Sequence, residues 1–154
     1  MYEQILVPTD GSEAARAAVD QAADIASKYG AMIHALYVID IDTTSVTLGS
    51  GQVERLQRGE LDEMPEVKAR AEDATGYVAD VGAGYGVEVE EHVVVGYPAR
   101  SIRSFVEDHD IDLVVIGSHG RSGLSRVILG SVAEKVLRQT RLPVLVVDAH
   151  EEEE

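Results

Sequence analysis

Asp112-Leu-Val-Val-Ile-Gly-Ser-His-Gly-Arg-Ser-Gly-Leu-Ser-Arg-Val-Ile-Leu-Gly-Ser-Val-Ala-Glu-Lys-Val-Leu137 is the stretch that decides the fold. Leu113 to Ile116 is a short apolar, β-branched run, as in a parallel strand buried on both faces. It stops at Gly117. Glycines recur at 117, 120, 123 and 130, and beyond Gly130-Ser131 apolar residues at 132, 133, 136 and 137 take helical spacing. The order is strand, glycine-rich loop, helix.

That order suits an anion. Glycines let the backbone approach a ligand closely. A helix N-terminus presents N–H groups and the positive end of a dipole. Ser131 adds a hydroxyl, and Arg121 and Arg126 add cations. Phosphate is the natural guest. The competing reading is that Gly117 and Gly120 only turn the chain and Ser131 only caps the helix.

Outward from this stretch the chain alternates. Ile5 to Pro8 reads as a first strand, followed by the turn Thr9-Asp10-Gly11-Ser12 with Asp10 or Ser12 as helix cap. Apolar residues recur at three and four from Glu13 to Tyr29, and Gly30 stops that helix. Ala31–Ile39 reads as the second strand. Residues 40 to 59 have no clear period and form the longest candidate loop, either a ligand-covering segment or a surface insertion. Leu61 to about Ala83 reads as a helix with Pro65 in its first turn, ended by the cluster Gly82 to Gly86. Val87–Val95 reads as the third strand. Pro98 opens a third helix, the fourth helix runs from Gly130 to about Gln139, and Leu142–Val147 is a fifth strand. Strict β-α alternation with right-handed crossovers implies an α/β, Rossmann-like, doubly wound parallel sheet with helices on both faces. Ligands of such sheets bind beyond the carboxyl ends of the strands. Neither an internal repeat nor a domain boundary is evident.

Composition narrows the classes. The 154 residues suit one domain, expected over 1–148, with an acidic tail at 149–154. The formal net charge is −15, and only three of the 13 basic residues are lysine (28, 68 and 135). Such a field disfavours nucleic acid. It also fits a halophilic source, where molar salt screens self-repulsion. There is no cysteine, no long apolar run and no basic-then-apolar leader, so a cytoplasmic protein without disulfides or membrane spans is expected.

The spacing Gly117-x2-Gly120-x9-Gly130-Ser131 resembles the nucleotide motif of the universal stress protein family. Ile5-Leu-Val-Pro-Thr-Asp-Gly-Ser12, Gly96-Tyr-Pro-Ala-Arg-Ser-Ile102 and Arg141-Leu-Pro-Val-Leu-Val-Val147 are similar to that family's first strand, third-helix entry and final strand. The resemblance is to the family's ATP-binding type, and the charge pattern suggests a halophilic archaeon. It implies a five-stranded sheet of order 3-2-1-4-5. It also implies a nucleotide site in which Pro8, Thr9 and Asp10 meet adenine and ribose and Val38 offers backbone to adenine. Gly117, Gly120, Gly130 and Ser131 would hold ribose and phosphates, with Ser118, His119, Arg121 and Val132 beside them. ATP is the implied ligand, with Mg²⁺ carried on its phosphates. A homodimer through the apolar strand Val144–Val147 is the implied assembly.

Catalysis has thin support. The five histidines show no metal-ligand spacing such as H-E-x-x-H, so no protein metal site is expected. His34 reads as a hydrogen-bonded core or edge residue, His92 and His109 as surface groups. Neither a G-x-S-x-G elbow nor a P-loop lysine is present. The leading expectation is a nucleotide-dependent regulatory dimer with no catalytic residues. The alternatives are a slow ATPase or phosphotransferase using the same site, and an AMP- or cyclic-nucleotide-binding module.

Overall fold

The computed structural model describes residues 1–40, 64–119 and 129–149. The expectations for the loop after residue 40, for Gly120, Arg121, Gly123 and Arg126, and for the tail beyond residue 149 lie outside the described residues; the helix expected from Leu61 begins at Pro65, with Met64 as its N-cap.

The described chain alternates strand and helix: β1 (Gln4–Pro8), α1 (Glu13–Tyr29), β2 (Met32–Asp40), α2 (Pro65–Gly84), β3 (Val89–Gly96), α3 (Pro98–Asp108), β4 (Leu113–Gly117), α4 (Ser131–Gln139) and β5 (Val144–Val147). All pairings are parallel, and the sheet order is β3-β2-β1-β4-β5. This is the order that the family resemblance implies.

The side chains of β1 show why the central strands β1 and β4 lack a polar face. Ile5 and Val7 pack with the α1 alanines and Val78 of α2 on one side of the sheet. Leu6 packs with Ile102 and Phe105 of α3 and Val136 of α4 on the other. Ile5, Leu6 and Val7 are all fully buried, each contributing about 1.5–3 kcal/mol. Helices therefore cover both faces, and apolar runs replace alternation.

Local chemistry fixes the helix ends. Ser12 caps α1, and Gly30 ends it at φ +68° in the left-handed region. The buried side of α1 is mostly alanine, which lets the helix lie close to the sheet. Pro65 opens α2, where a missing N–H costs nothing. At the end of α2, Gly86 takes φ +73° and Val87 N–H donates to Gly82 O at 2.8 Å. Val87 is thus held by the helix, and β3 begins at Val89, two residues later than the apolar pattern predicts.

β1 lies between β2 and β4. Connections from β1 and β4 leave toward opposite sheet faces, so a crevice opens at their carboxyl ends. The amino ends of the same pair are clipped by Asp112, whose carboxylate accepts from Glu3 N–H at 2.9 Å and Gln4 N–H at 3.2 Å.

Candidate functional site

At the carboxyl end of β1, after Pro8, Thr9 carries the chain over the sheet edge, and its N–H donates to Leu36 O at 2.9 Å. Its buried hydroxyl accepts from Gly11 N–H at 3.1 Å. Asp10 Oδ1 accepts from Ser12 N–H at 3.0 Å, and Ser12 Oγ accepts from Ala15 N–H at 3.2 Å. Ser12 is therefore the α1 cap, and Asp10 braces the turn in front of it.

Val38 lies two residues beyond Leu36, the last β2 residue paired with β1. Backbone groups alternate between the two edges of a strand. Val38 therefore turns its N–H and C=O to the edge where the Leu36 carbonyl meets Thr9, past the end of β1. Its side chain packs in the α3–α4 layer.

Gly117 closes β4 directly against α1. A Cβ there would lie 2.8 Å from both Ala14 C and Ala15 N. Ser118 N–H then donates to Val147 O at 2.8 Å, and Gly130 N–H donates to Ser118 O at 2.6 Å. A Cβ on Gly130 would stand 2.9 Å from His119 Cα. The two ends of the glycine loop are thus pinched together, and a side chain at Gly130 would prise them apart. Gly130 is the N-cap of α4 and makes no side-chain cap bond; Ser131 is the first helical residue, not the cap. The first-turn N–H groups of α4 face out of the helix end.

Ser118 Oγ donates to Asp148 Oδ1 at 2.9 Å and lies 3.1 Å from His119 Nδ1. A hydroxyl has one proton. With that proton on Asp148, Oγ accepts from His119 Nδ1–H. With the hydroxyl proton directed at Asp148, the serine is not donating to the histidine in this arrangement.

A groove of about 390 Å³ runs between the starts of α3 and α4. Ser131 and Val132 line it, with Asp40 from the end of β2 and the cations Arg100, Arg103 and Lys135. Pro8, Thr9, Asp10, Gly117, Ser118 and His119 lie along the same sheet edge without lining this groove. Arg100, Arg103 and Lys135 escaped the sequence reading. Their signal was helical spacing: 100 and 103 are three apart on a helix whose start Pro98 fixes. In a chain of net charge −15 this is a local reversal of sign that favours an anion.

The opposite, amino end of the sheet holds a second constellation. His34 is 5% exposed, and its ring centroid lies 5.3 Å from that of His92. His92 is not the free surface group expected: its side chain is 22% exposed and Nε2 lies 3.1 Å from His34 Nδ1. Burial lowers the His34 pKa, and His92 lowers it further, with Glu90 opposing. His109 is exposed and stacks on Phe105, with ring centroids 3.7 Å apart.

Residues 1–148 match the model of the Universal stress protein family. Universal stress protein MJ0531 of Methanocaldococcus jannaschii is 35% identical over 147 residues, covering 96% of this chain and 82% of that protein. The solved structure of hypothetical protein MJ0577 superposes with a TM-score of 0.78 at 28% identity, over 99% of both chains. A universal stress protein solved in complex with cAMP superposes with a TM-score of 0.67 at 25% identity, over 97% of this chain and 98% of that one. Family model, near-full-length identity and sheet order agree: the chain belongs to the universal stress protein family.

Proposed function

We propose that this protein binds ATP at the carboxyl edge of its sheet and acts as a nucleotide-dependent regulatory homodimer in the stress response. The observation that carries the reading is the pinched glycine loop at the N-terminus of α4, beside a groove bearing Arg100, Arg103 and Lys135. Phosphates at that helix end gain N–H donors, the helix dipole and nearby cations together. Asp10 takes the ribose hydroxyls, with Pro8 and Thr9 beside it, and the Val38 backbone meets the adenine edge. Gly117, Gly120, Gly130 and Ser131 hold ribose and phosphate, flanked by Ser118, His119, Arg121 and Val132. Mg²⁺ rides on the phosphate oxygens. Without a P-loop lysine, turnover is slow or nil, which favours a regulator over an ATPase or phosphotransferase.

The two edges of the sheet support the dimer. β3 carries Glu90 and Glu91, charges that discourage pairing, whereas β5 is Val144-Leu-Val-Val147 with Leu145 37% exposed. Antiparallel pairing of two β5 strands buries that apolar edge. The acidic, lysine-poor composition supports a cytoplasmic protein of a halophilic archaeon. Among the described residues, no helix is long and apolar enough to cross a membrane.

The cAMP complex of a relative favours one second reading, in which AMP or a cyclic nucleotide is the native ligand. The experiment is to purify the protein rapidly in molar KCl, denature it and chromatograph what is released. Near-stoichiometric ATP is expected; AMP or a cyclic nucleotide selects the second reading. Gly130→Asp places a carboxylate against His119 and the phosphates, and is expected to abolish binding. Retained ATP affinity in that variant overturns the site.

A further inference from the structure

The constellation at the amino end of the sheet has the geometry of a metal site. The β2–β3 register sets His34 directly opposite Glu90, and His92 follows Glu90 by two residues, on the same face of the sheet. Three donor atoms converge there. His34 Nδ1 lies 3.1 Å from His92 Nε2 and 3.4 Å from Glu90 Oε1, and His92 Nε2 lies 3.1 Å from Glu90 Oε1. An ion about 2.05 Å from all three would see them at angles of roughly 98–112°, close to tetrahedral. We propose that His34, His92 and Glu90 form a three-ligand site for a divalent transition-metal ion of the zinc class, with its fourth position open to water.

The surroundings fit that role. His34 Nε2 lies 2.7 Å from Gln4 Oε1, an acceptor, so the ring proton sits on Nε2 and Nδ1 turns a lone pair to the centre. Gln4 thereby orients the ligand as second-sphere carbonyl groups do. Glu90, when ionised, brings no proton. Without an ion, the three converging atoms share only the His92 Nε2 proton; an ion satisfies all three lone pairs at once. Phe105 walls the site, with ring centroids 4.7 Å from His92 and 5.7 Å from His34. The Glu90 side chain is 54% exposed and leaves the outer side open to solvent. Two imidazoles and one carboxylate select zinc-class ions over Mg²⁺ and Ca²⁺, which prefer oxygen. His34 is four residues before Val38 along β2, about 13 Å, and His92, level with Leu36, is two residues before it, so all three ligands lie on the amino side of the proposed adenine contact.

The experiment uses the full chain without a polyhistidine tag, stripped with EDTA, dialysed, and titrated with ZnCl₂ against a chromophoric zinc indicator. One zinc per chain at micromolar affinity or tighter is expected, and excess MgCl₂ does not compete. His92→Ala and His34→Gln each lower the affinity at least tenfold, and Gln4→Ala weakens it by about tenfold. Glu91→Gln is the control. Glu91 faces α2, where Thr75 Oγ1 donates to it at 2.8 Å, and its loss leaves zinc affinity unchanged. Cobalt(II) in place of zinc gives the intense visible bands of a four-coordinate ion. His92 is partly exposed, so His92→Ala keeps the wild-type circular dichroism and the wild-type affinity for Mg-ATP, which separates this test from that of the nucleotide site. Substoichiometric binding, wild-type affinity in both histidine variants, or the weak bands of six-coordinate cobalt overturns the proposal.

Discussion

Replacing Gly117 with alanine tests the close contact on which the crevice is built. The new Cβ would stand 2.8 Å from Ala14 C and Ala15 N, and 3.0 Å from Ala14 Cβ. Ordinary contact begins at 3.4 Å, so 3.4 − 2.8 requires a retreat of about 0.6 Å. Two of these atoms are backbone in the capped first turn of α1, so no rotamer change relieves the clash. Overpacking of this kind costs about 1–3 kcal/mol. The smaller conformational freedom of alanine in the unfolded chain returns about 0.4–1 kcal/mol. The net expectation is a loss of about 1–2 kcal/mol, or a Tm lowered by about 2–8 °C for a chain of this size. Thermal and urea unfolding of both proteins at one KCl concentration measures it. A variant with a Tm equal to or above that of wild type would refute the argument that only glycine fits where β4 meets α1.

Gly76→Ala makes the complementary prediction. Nothing lies within 4 Å of its would-be Cβ in the interior of α2, so alanine stabilises by about 0.8–1 kcal/mol, read as a higher urea midpoint. Stability of the metal-free protein depends on His34. Its folded pKa lies below the ordinary 6.5 through burial, then His92, with Glu90 raising it and His109 lowering it. The unfolded chain therefore takes up the proton first as pH falls, and the associated stability is full above pH 6.5 and lost as pH drops toward the lowered folded value. Urea titrations in EDTA across that interval show a slope that His34→Gln reduces; equal slopes in the two proteins contradict it. Leu145→Arg places a charge on the β5 edge and is expected to convert the proposed homodimer to monomer in sedimentation velocity, with the far-UV spectrum unchanged; an unchanged sedimentation coefficient refutes pairing through β5.

The architecture was legible because the central strands β1 and β4 carry their own evidence of burial. Leu113–Ile116 and Ile5–Val7 are apolar without alternation, and only a sheet covered on both faces buries both sides of such a strand. The start of β3 was misplaced because Val87 looks like a strand residue. Its N–H is claimed by Gly82 O, a contact that composition does not announce. The glycine spacing pointed to Gly117 and Gly130, where the close contacts are found. The groove's cations were harder to see, because Arg100 and Lys135 come together only through the packing of α3 on α4. Least legible was the pairing of His34 with Glu90 and His92. Glu-x-His on one strand is a faint hint, and the third ligand arrives 58 residues away from His92 through the β2–β3 register.

The unequal edges of the sheet set a limit on growth. A chain with one adhesive strand and one guarded by carboxylates has a valence of one. If two β5 strands pair as proposed, the charged β3 edges offer no second contact, and assembly closes at a pair instead of running on into a fibre. Neutral, β-branched residues in place of Glu90 and Glu91 would weaken that stop and give the molecule a second edge to offer.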